Sequence, residues 1–360
     1  MNRRDFLFAT GAGAVGLTIG DRAPTFAQPE APSRWRTFEL TTRVDVLQAS
    51  NTTRVWLPTP LAAAPYQRTA GDTYHAAGGR TVMIETNADE PDILAAVWEN
   101  GNPAVLTLSS RVATRDHAVD LTTPAVPPPR DLSAFAHFLR PTKLIPIDGI
   151  VKTTADAITR GTGTDLERAR AIYDWIVDNT FRDPRTVGCG TGDIRFMLES
   201  HNLGGKCADI NALFVGLARA AGLPARDVYG LRVAPATAFR SLGLPSANAT
   251  RAQHCRAEVY LTGFGWVPVD PADVRKVALE EPPGNPGVSD ERVKAARERL
   301  FGSWEMNWVA FNTAHDVALP GSTRGTLPFF MYPQGETGKG RLDSLDPDNF
   351  KYSITVKEVA

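Results

Sequence analysis

Net charge, long apolar runs and cysteine are all scarce in this chain. Its 360 residues carry 39 Lys and Arg against 40 Asp and Glu. There is no basic excess of the kind that neutralises a phosphate backbone, which argues against nucleic acid as a partner. No run past the amino terminus approaches the roughly 20 apolar residues needed to cross a bilayer, so the sequence carries no integral membrane segment in its processed form. The three cysteines, Cys189, Cys207 and Cys255, cannot all pair. A chain of this size buries a core without disulfide staples, so in an oxidising compartment the odd thiol is either buried and inert or used. One pairing, Cys189 with Cys255, leaves Cys207 free.

What is present begins with an address. Arg3 and Arg4 precede Phe6 and Leu7, a glycine-rich and weakly apolar run follows to Gly20, and Thr25-Phe26-Ala27 offers small residues at a cut site. Residues 1–27 resemble a twin-arginine export signal, which implies the twin-arginine export machinery as a partner and a periplasmic or otherwise extracytoplasmic place of work. No cysteine follows the signal, so a lipid anchor is not expected there. Removing the segment takes away Arg3, Arg4 and Arg22 against Asp5 and Asp21 and shifts the net charge from −1 to about −2.

Residues 34–122 read as an all-β, sandwich-like domain. Phe38, Leu40, Thr42, Val44 and Val46 alternate with polar residues as a half-buried strand does. Val55–Leu57, Thr81–Ile84, Ala95–Trp98 and Val105–Val112 read as further strands, the last two joined as a hairpin across Glu99–Asn102. Residues 123–130, Thr-Pro-Ala-Val-Pro-Pro-Pro-Arg, form a stiff linker. Beyond it, in 131–280, the period turns helical over Leu132–Leu139, Ile150–Ile158 and Asp165–Asn179. The last of these opens on Thr164-x-x-Glu167, a capping box. A short helix over Asp193–Ser200 leads to Gly204-Gly205-Lys206-Cys207, after which Ile210, Leu213, Phe214, Leu217 and Ala221 recur at helical spacing until Gly222 and Pro224. Strands follow at Ala225–Val233, His254–Leu261 and Trp266–Asp270. Helices before an antiparallel sheet make an α+β order. Residues 281–360 read as a carboxy-terminal helix, Ser289–Leu300, and strands packing on that core, with Thr355–Lys357 in a final strand and Pro320–Pro333 as ordered loop.

Cys207 opens its helix. There the unpaired backbone N–H groups and the positive end of the dipole favour thiolate over thiol. Lys206 adds a positive charge, and the paired glycines leave the sulfur open. A thiolate nucleophile also needs a base to take its proton and a third group to hold that base. His254 begins one strand, a glycine turn reverses the chain, and the returning strand ends on Asp270.

Together, Gly204-Gly205-Lys206-Cys207, Leu223-Pro224-Ala225-Arg226, His254-x-x-x-Glu258-Val259 and Gly265-Trp266-Val267-Pro268-Val269-Asp270-Pro271 resemble the transglutaminase-like domain family, whose core is similar to the papain-type thiol enzymes. The resemblance covers about residues 130–275. It implies Cys207 as nucleophile, His254 as general base and acid, and Asp270 as the orienting carboxylate, in acyl transfer on amide bonds of a protein or peptide substrate. Water or an amine resolves the thioester, and the chemistry requires no metal or organic cofactor. Cys255 and Arg256 depart from the small and aromatic residues many members carry beside the histidine. The alternative is a catalytically silent binding or interaction protein on the same scaffold.

Register leaves one ambiguity. With a two-residue turn at Gly263-Phe264, Asp273 rather than Asp270 falls opposite His254, and three residues span about 10 Å of strand. A wider turn or a bulge brings Asp270 level, with Asp273 as the alternative. A zinc site built from the three cysteines and His254 lacks the paired short spacings such sites use, and the adjacent His254 and Cys255 alternate to opposite strand faces. Asp209 reads as a first-turn carboxylate, Glu258 as the partner of Arg256 or a loop arginine, and Trp304, Trp308 and Phe311 as packing residues, with a wall of the substrate cleft as the alternative. The Cys207 backbone N–H is one expected oxyanion donor; the sequence singles out no second.

Overall fold

The computed structural model describes residues 34–84, 91–99, 103–127, 132–346 and 350–359. The export segment lies outside the described residues, as do the middle of the Glu99–Asn102 turn and residues 128–130 of the proline-rich stretch.

The β-rich half uses β1 (Arg36–Val46), β2 (Thr53–Pro58), β3 (Gln67–Ala77), β4 (Arg80–Ile84), β5 (Ile93–Trp98) and β6 (Ala104–Thr114). The second half contributes β7 (Ala225–Arg232), β8 (Gln253–Leu261), β9 (Gly265–Val269), β10 (Trp308–Asn312), β11 (Gln334–Thr337), β12 (Gly340–Leu342) and β13 (Phe350–Val359). Two antiparallel sheets form the sandwich. One runs β13-β1-β6-β3 with Ala63–Ala64 at its edge, the other β12-β11-β2-β5-β4. Val44 and Leu106 from the first meet Val55, Leu57, Leu94 and Trp98 from the second in one apolar core, because alternation turns one face of each strand inward.

Two expectations change here. Strands β5 and β6 do not pair: β5 lies between β2 and β4, β6 between β1 and β3. Ile93–Ala96 is buried on both faces, as a central strand requires, and the connection after Trp98 passes from one sheet to the other. The carboxy-terminal strands also divide. Strand β13 pairs with β1 along its length, with Thr42 opposite Ile354, and β11 pairs with β2, so both join the amino-terminal sheets. Strand β10 instead joins the second half through β7.

That half holds α1 (Gly149–Ile158), α2 (Asp165–Asn179), α3 (Ile194–Glu199), α4 (Cys207–Ala220), α5 (Pro271–Glu280) and α6 (Glu291–Arg299) around a sheet ordered β9-β8-β7-β10. The capping box is made: Glu167 N donates to Thr164 Oγ1 at 3.2 Å, and Thr164 N donates to Glu167 Oε2 at 2.9 Å. Helix α4 is buried all round, packed on β8 and flanked by α1, α2 and α5. Ile210, Leu213, Phe214 and Leu217 are fully buried, each contributing about 1.5–3 kcal/mol by removal from water. Gly222, at φ +85°, supplies the left-handed residue that ends the helix. The helix therefore fixes its first residue, Cys207, as firmly as its core.

Candidate active site

Cys207 is the first residue of α4, 5% exposed, and no group among the described residues accepts a hydrogen bond from its N–H. The neighbouring loop is tied to the helix mouth. Ala208 N donates to Cys189 O at 2.9 Å. One oxygen of Asp209 accepts from Thr191 N at 2.9 Å and Gly192 N at 3.0 Å, and the other from Lys206 N at 3.0 Å. Asp209 is thus the first-turn carboxylate the sequence suggests, and it also holds Cys189 against Cys207. Gly190 sits at φ +96°, and a Cβ there would lie 1.9 Å from Asp209 Oδ2. Gly190→Ala is accordingly expected to lower the unfolding free energy by at least about 1 kcal/mol and to slow Cys207 alkylation as the loop shifts; unchanged urea unfolding and alkylation would contradict this.

The returning strand brings the acids. Leu261 pairs with Gly265 across a three-residue turn, one residue wider than the tight alternative, and the ladder stops at Ala257 opposite Val269. Asp270 then leaves the sheet as the N-cap of α5, where its Oδ1 accepts from Asp273 N at 3.0 Å. Both acids occupy this first helical turn, so both face the histidine. His254 Nε2 lies 2.8 Å from Asp270 Oδ2 and 3.3 Å from Asp273 Oδ2. The remaining oxygen of Asp270 also accepts from Asn211 Nδ2 at 3.2 Å. Asp273 binds Arg232 at 2.6 Å, and Arg256 Nε stands 3.6 Å from Asp270. Trp308 Nε1 donates to His254 O at 2.9 Å, which fixes the histidine backbone.

With Nε2 held by the carboxylates, Nδ1 is the ring nitrogen left for sulfur, and His254 and Cys207 line one cleft. Cys189 lines that cleft too and donates its thiol to Gln253 O at 3.3 Å, while Cys255, next to His254, is fully buried. All three cysteines are free thiols. Cys189, then Cys255, then His254 draw the Cys207 thiol well below its ordinary range against the opposing effect of burial. Cys189 is held high by Cys207, and Cys255 by burial. Cys207 is therefore the sulfur on which negative charge settles. Burial and Arg232 act to lower His254, yet Asp273 and Asp270 outweigh them and lift it to about 10. Burial and the Asp273 charge raise Asp270; Arg232 overcomes burial to hold Asp273 low.

Arg232, Arg256, Asp270 and Asp273 are all at least nine-tenths buried, two cations against two anions. A proton passing from Cys207 to His254 adds one charge of each sign and leaves the buried sum at zero. Buried charges are costly unless balanced, so the cluster tolerates the thiolate–imidazolium pair. The ligand atoms of His254, Asp270 and Asp273 lie within 4.8 Å of one another, a spacing a metal could use. Arg232 and Arg256, however, already supply the positive charge that two carboxylates would seek from a cation.

A cleft of about 1120 Å³ opens onto Cys207 and His254, with Gln253, Tyr332 and Tyr352 in its wall. Trp304 and Trp308 lie outside it, stacked on Arg256 at 5.3 and 4.8 Å. Glu258 pairs with Arg226 at 2.6 Å and takes no part in the site. The sequence did not single out Asn211, Arg232 or Tyr332. Asn211 had a signal, standing four residues after Cys207 on the same helix face. Arg232 and Tyr332 had none, because only the fold brings them to the sulfur.

Residues 152–271 match the model of the family described as the transglutaminase-like superfamily. An uncharacterized protein from Haemophilus influenzae is 37% identical over 323 residues, 85% of this chain and 86% of that protein. A candidate cysteine protease from Cytophaga hutchinsonii has a similar fold, with a TM-score of 0.52 over 91% of this chain and 99% of that chain at 16% identity. The periplasmic domain of TgpA from Pseudomonas aeruginosa aligns over 77% of this chain and 93% of that chain at 17% identity, but its TM-score of 0.35 is too low to argue from. No helix among the described residues is long and apolar enough to cross a membrane.

Proposed function

Because the chain belongs to the transglutaminase-like superfamily, we propose that it is a thiol-dependent acyl-transfer enzyme acting on amide bonds of a peptide or protein, with Cys207, His254 and Asp270 as its triad. The observation that carries this reading is the buried 2.8 Å contact of His254 Nε2 with Asp270, on a cleft that His254 shares with Cys207. The Cys207 sulfur attacks the carbonyl carbon and the C–S bond forms as the carbonyl oxygen takes the negative charge. The Cys207 N–H faces that oxygen as a donor. The C–N bond then breaks, and the proton held by His254 passes to the departing amine. Water or a second amine, deprotonated by His254, attacks the thioester and frees Cys207. Asp270 holds the ring and offsets its charge throughout. The sequence of residues 1–27 supports export by the twin-arginine route as the place where this happens.

The test is covalent. After incubation with a p-nitrophenyl ester and an acid quench, intact mass and peptide mapping are expected to find one acyl group on Cys207 and none in Cys207→Ala. An adduct on Cys189 instead, or no adduct anywhere, would reject the assignment and leave a binding protein on this scaffold.

A further inference from the structure

The wall of the cleft carries charge of one sign. Arg182, Lys206, Arg232, Arg251 and Lys276 line it, and no aspartate or glutamate among the described residues does. The chain as a whole is nearly neutral, so the bias is local. Part of it is answered from behind the wall: Arg182 and Lys276 share the single carboxylate of Glu280, and Arg232 is matched by Asp273. Lys206 donates to the uncharged Thr186 carbonyl at 2.7 Å and makes no ion pair among the described residues, although its charge is felt by Asp183. Arg251 is exposed at the start of the histidine strand, and no ion pair is found for it among the described residues. A concave site lined by one sign of charge focuses its field on ligands of the other sign.

We infer that the cleft selects a peptide carrying a carboxylate close to the reacting amide, held by Arg251, Lys206 and the Arg182–Lys276 wall. This rests on the acyl-transfer reading above and adds the substrate class to it. Guanidinium and ammonium groups bind a carboxylate through charge-assisted hydrogen bonds, and the fork of Arg251 suits it in two-point contact. The partial answer from Glu280 tempers the wall without reversing its sign.

Protection of Cys207 from iodoacetamide, a neutral reagent, separates the two ideas. A blocked peptide containing Gln flanked by Glu is expected to slow alkylation at concentrations about threefold or more below those required by its counterpart with Gln in place of Glu, since a cleft of opposite charge concentrates the acidic peptide. The advantage should shrink in about 1 M salt, where the Debye length is about 3 Å. It should also shrink in Arg251→Gln, a change at an exposed position. Equal protection by acidic and neutral peptides, better protection by a lysine peptide, or no protection by any of them would overturn the inference. Failure of the catalytic reading shows separately, as Cys207 reacting no faster than a free thiol when no peptide is present.

Discussion

His254→Ala is expected to cut acyl transfer by about a thousandfold or more, the usual yield of a positioned general acid and base. It should also move the reactivity of Cys207 toward higher pH. The sign follows from the two shifts. A thiol drawn well below its ordinary range keeps its charge as the pH falls, and an imidazole lifted to about 10 keeps its proton as the pH rises. Between those limits the pair is charged. The wild-type alkylation rate is therefore expected to run flat through neutrality and to fall only at acidic pH, where an ordinary thiol of pKa about 8.5 loses about tenfold per unit. Without His254 the two neighbouring thiols, which contribute first to the shift, remain. The profile should then move upward without reaching that of a free thiol, while turnover collapses. Alkylation followed by peptide mass spectrometry against pH, beside turnover of the p-nitrophenyl ester, checks both. A profile indifferent to His254→Ala, together with retained turnover, would remove the base from the mechanism.

The sandwich and the cysteine helix were legible because each rests on a local period. Phe38, Leu40, Val44 and Val46 alternate, and Ile210, Leu213, Phe214 and Leu217 repeat at helical spacing, so burial of one face is written in the residues themselves. Strand β3 was not legible. Its sequence, Gln-Arg-Thr-Ala-Gly-Asp-Thr-Tyr-His-Ala-Ala, buries only its first residue, so no apolar alternation marks it, and its pairing with β6 and Ala63–Ala64 makes it a strand. Helix α5 has a local signal: Asp270-Pro271 with Asp273 is an N-cap, a first-turn proline and a first-turn acid. Reading that helix would have resolved the register question, since both acids belong to one helical turn. The pairing of β13 with β1 depends on contacts more than three hundred residues apart in sequence, beyond any local period. Arg232 and Cys189 are only 25 and 18 residues from Cys207, yet they too come to its cleft through folding that no local period records.

Asp270→Asn should lower kcat/KM by about three to four orders of magnitude and cost less stability than Asp273→Asn, which should leave most of the turnover in place. Asparagine keeps the shape of Asp270 and still caps α5, but it no longer offsets the imidazolium or imposes one ring tautomer. Asp273 stands differently. Its Oδ1 holds Arg232 at 2.6 Å, while its Oδ2, 3.3 Å from the ring, makes no hydrogen bond among the described residues. Losing that carboxylate leaves Arg232, 6% exposed, with a hydrogen bond to the Leu242 carbonyl and no close counter-charge. Breaking a buried pair from one side costs about 3–5 kcal/mol. Ester turnover and urea unfolding of the two variants separate the roles, because positioning and charge balance load different observables. If Asp273→Asn lost turnover while unfolding like the wild type, and Asp270→Asn turned over normally, Asp273 would be the residue that orients His254 and Asp270 a helix cap.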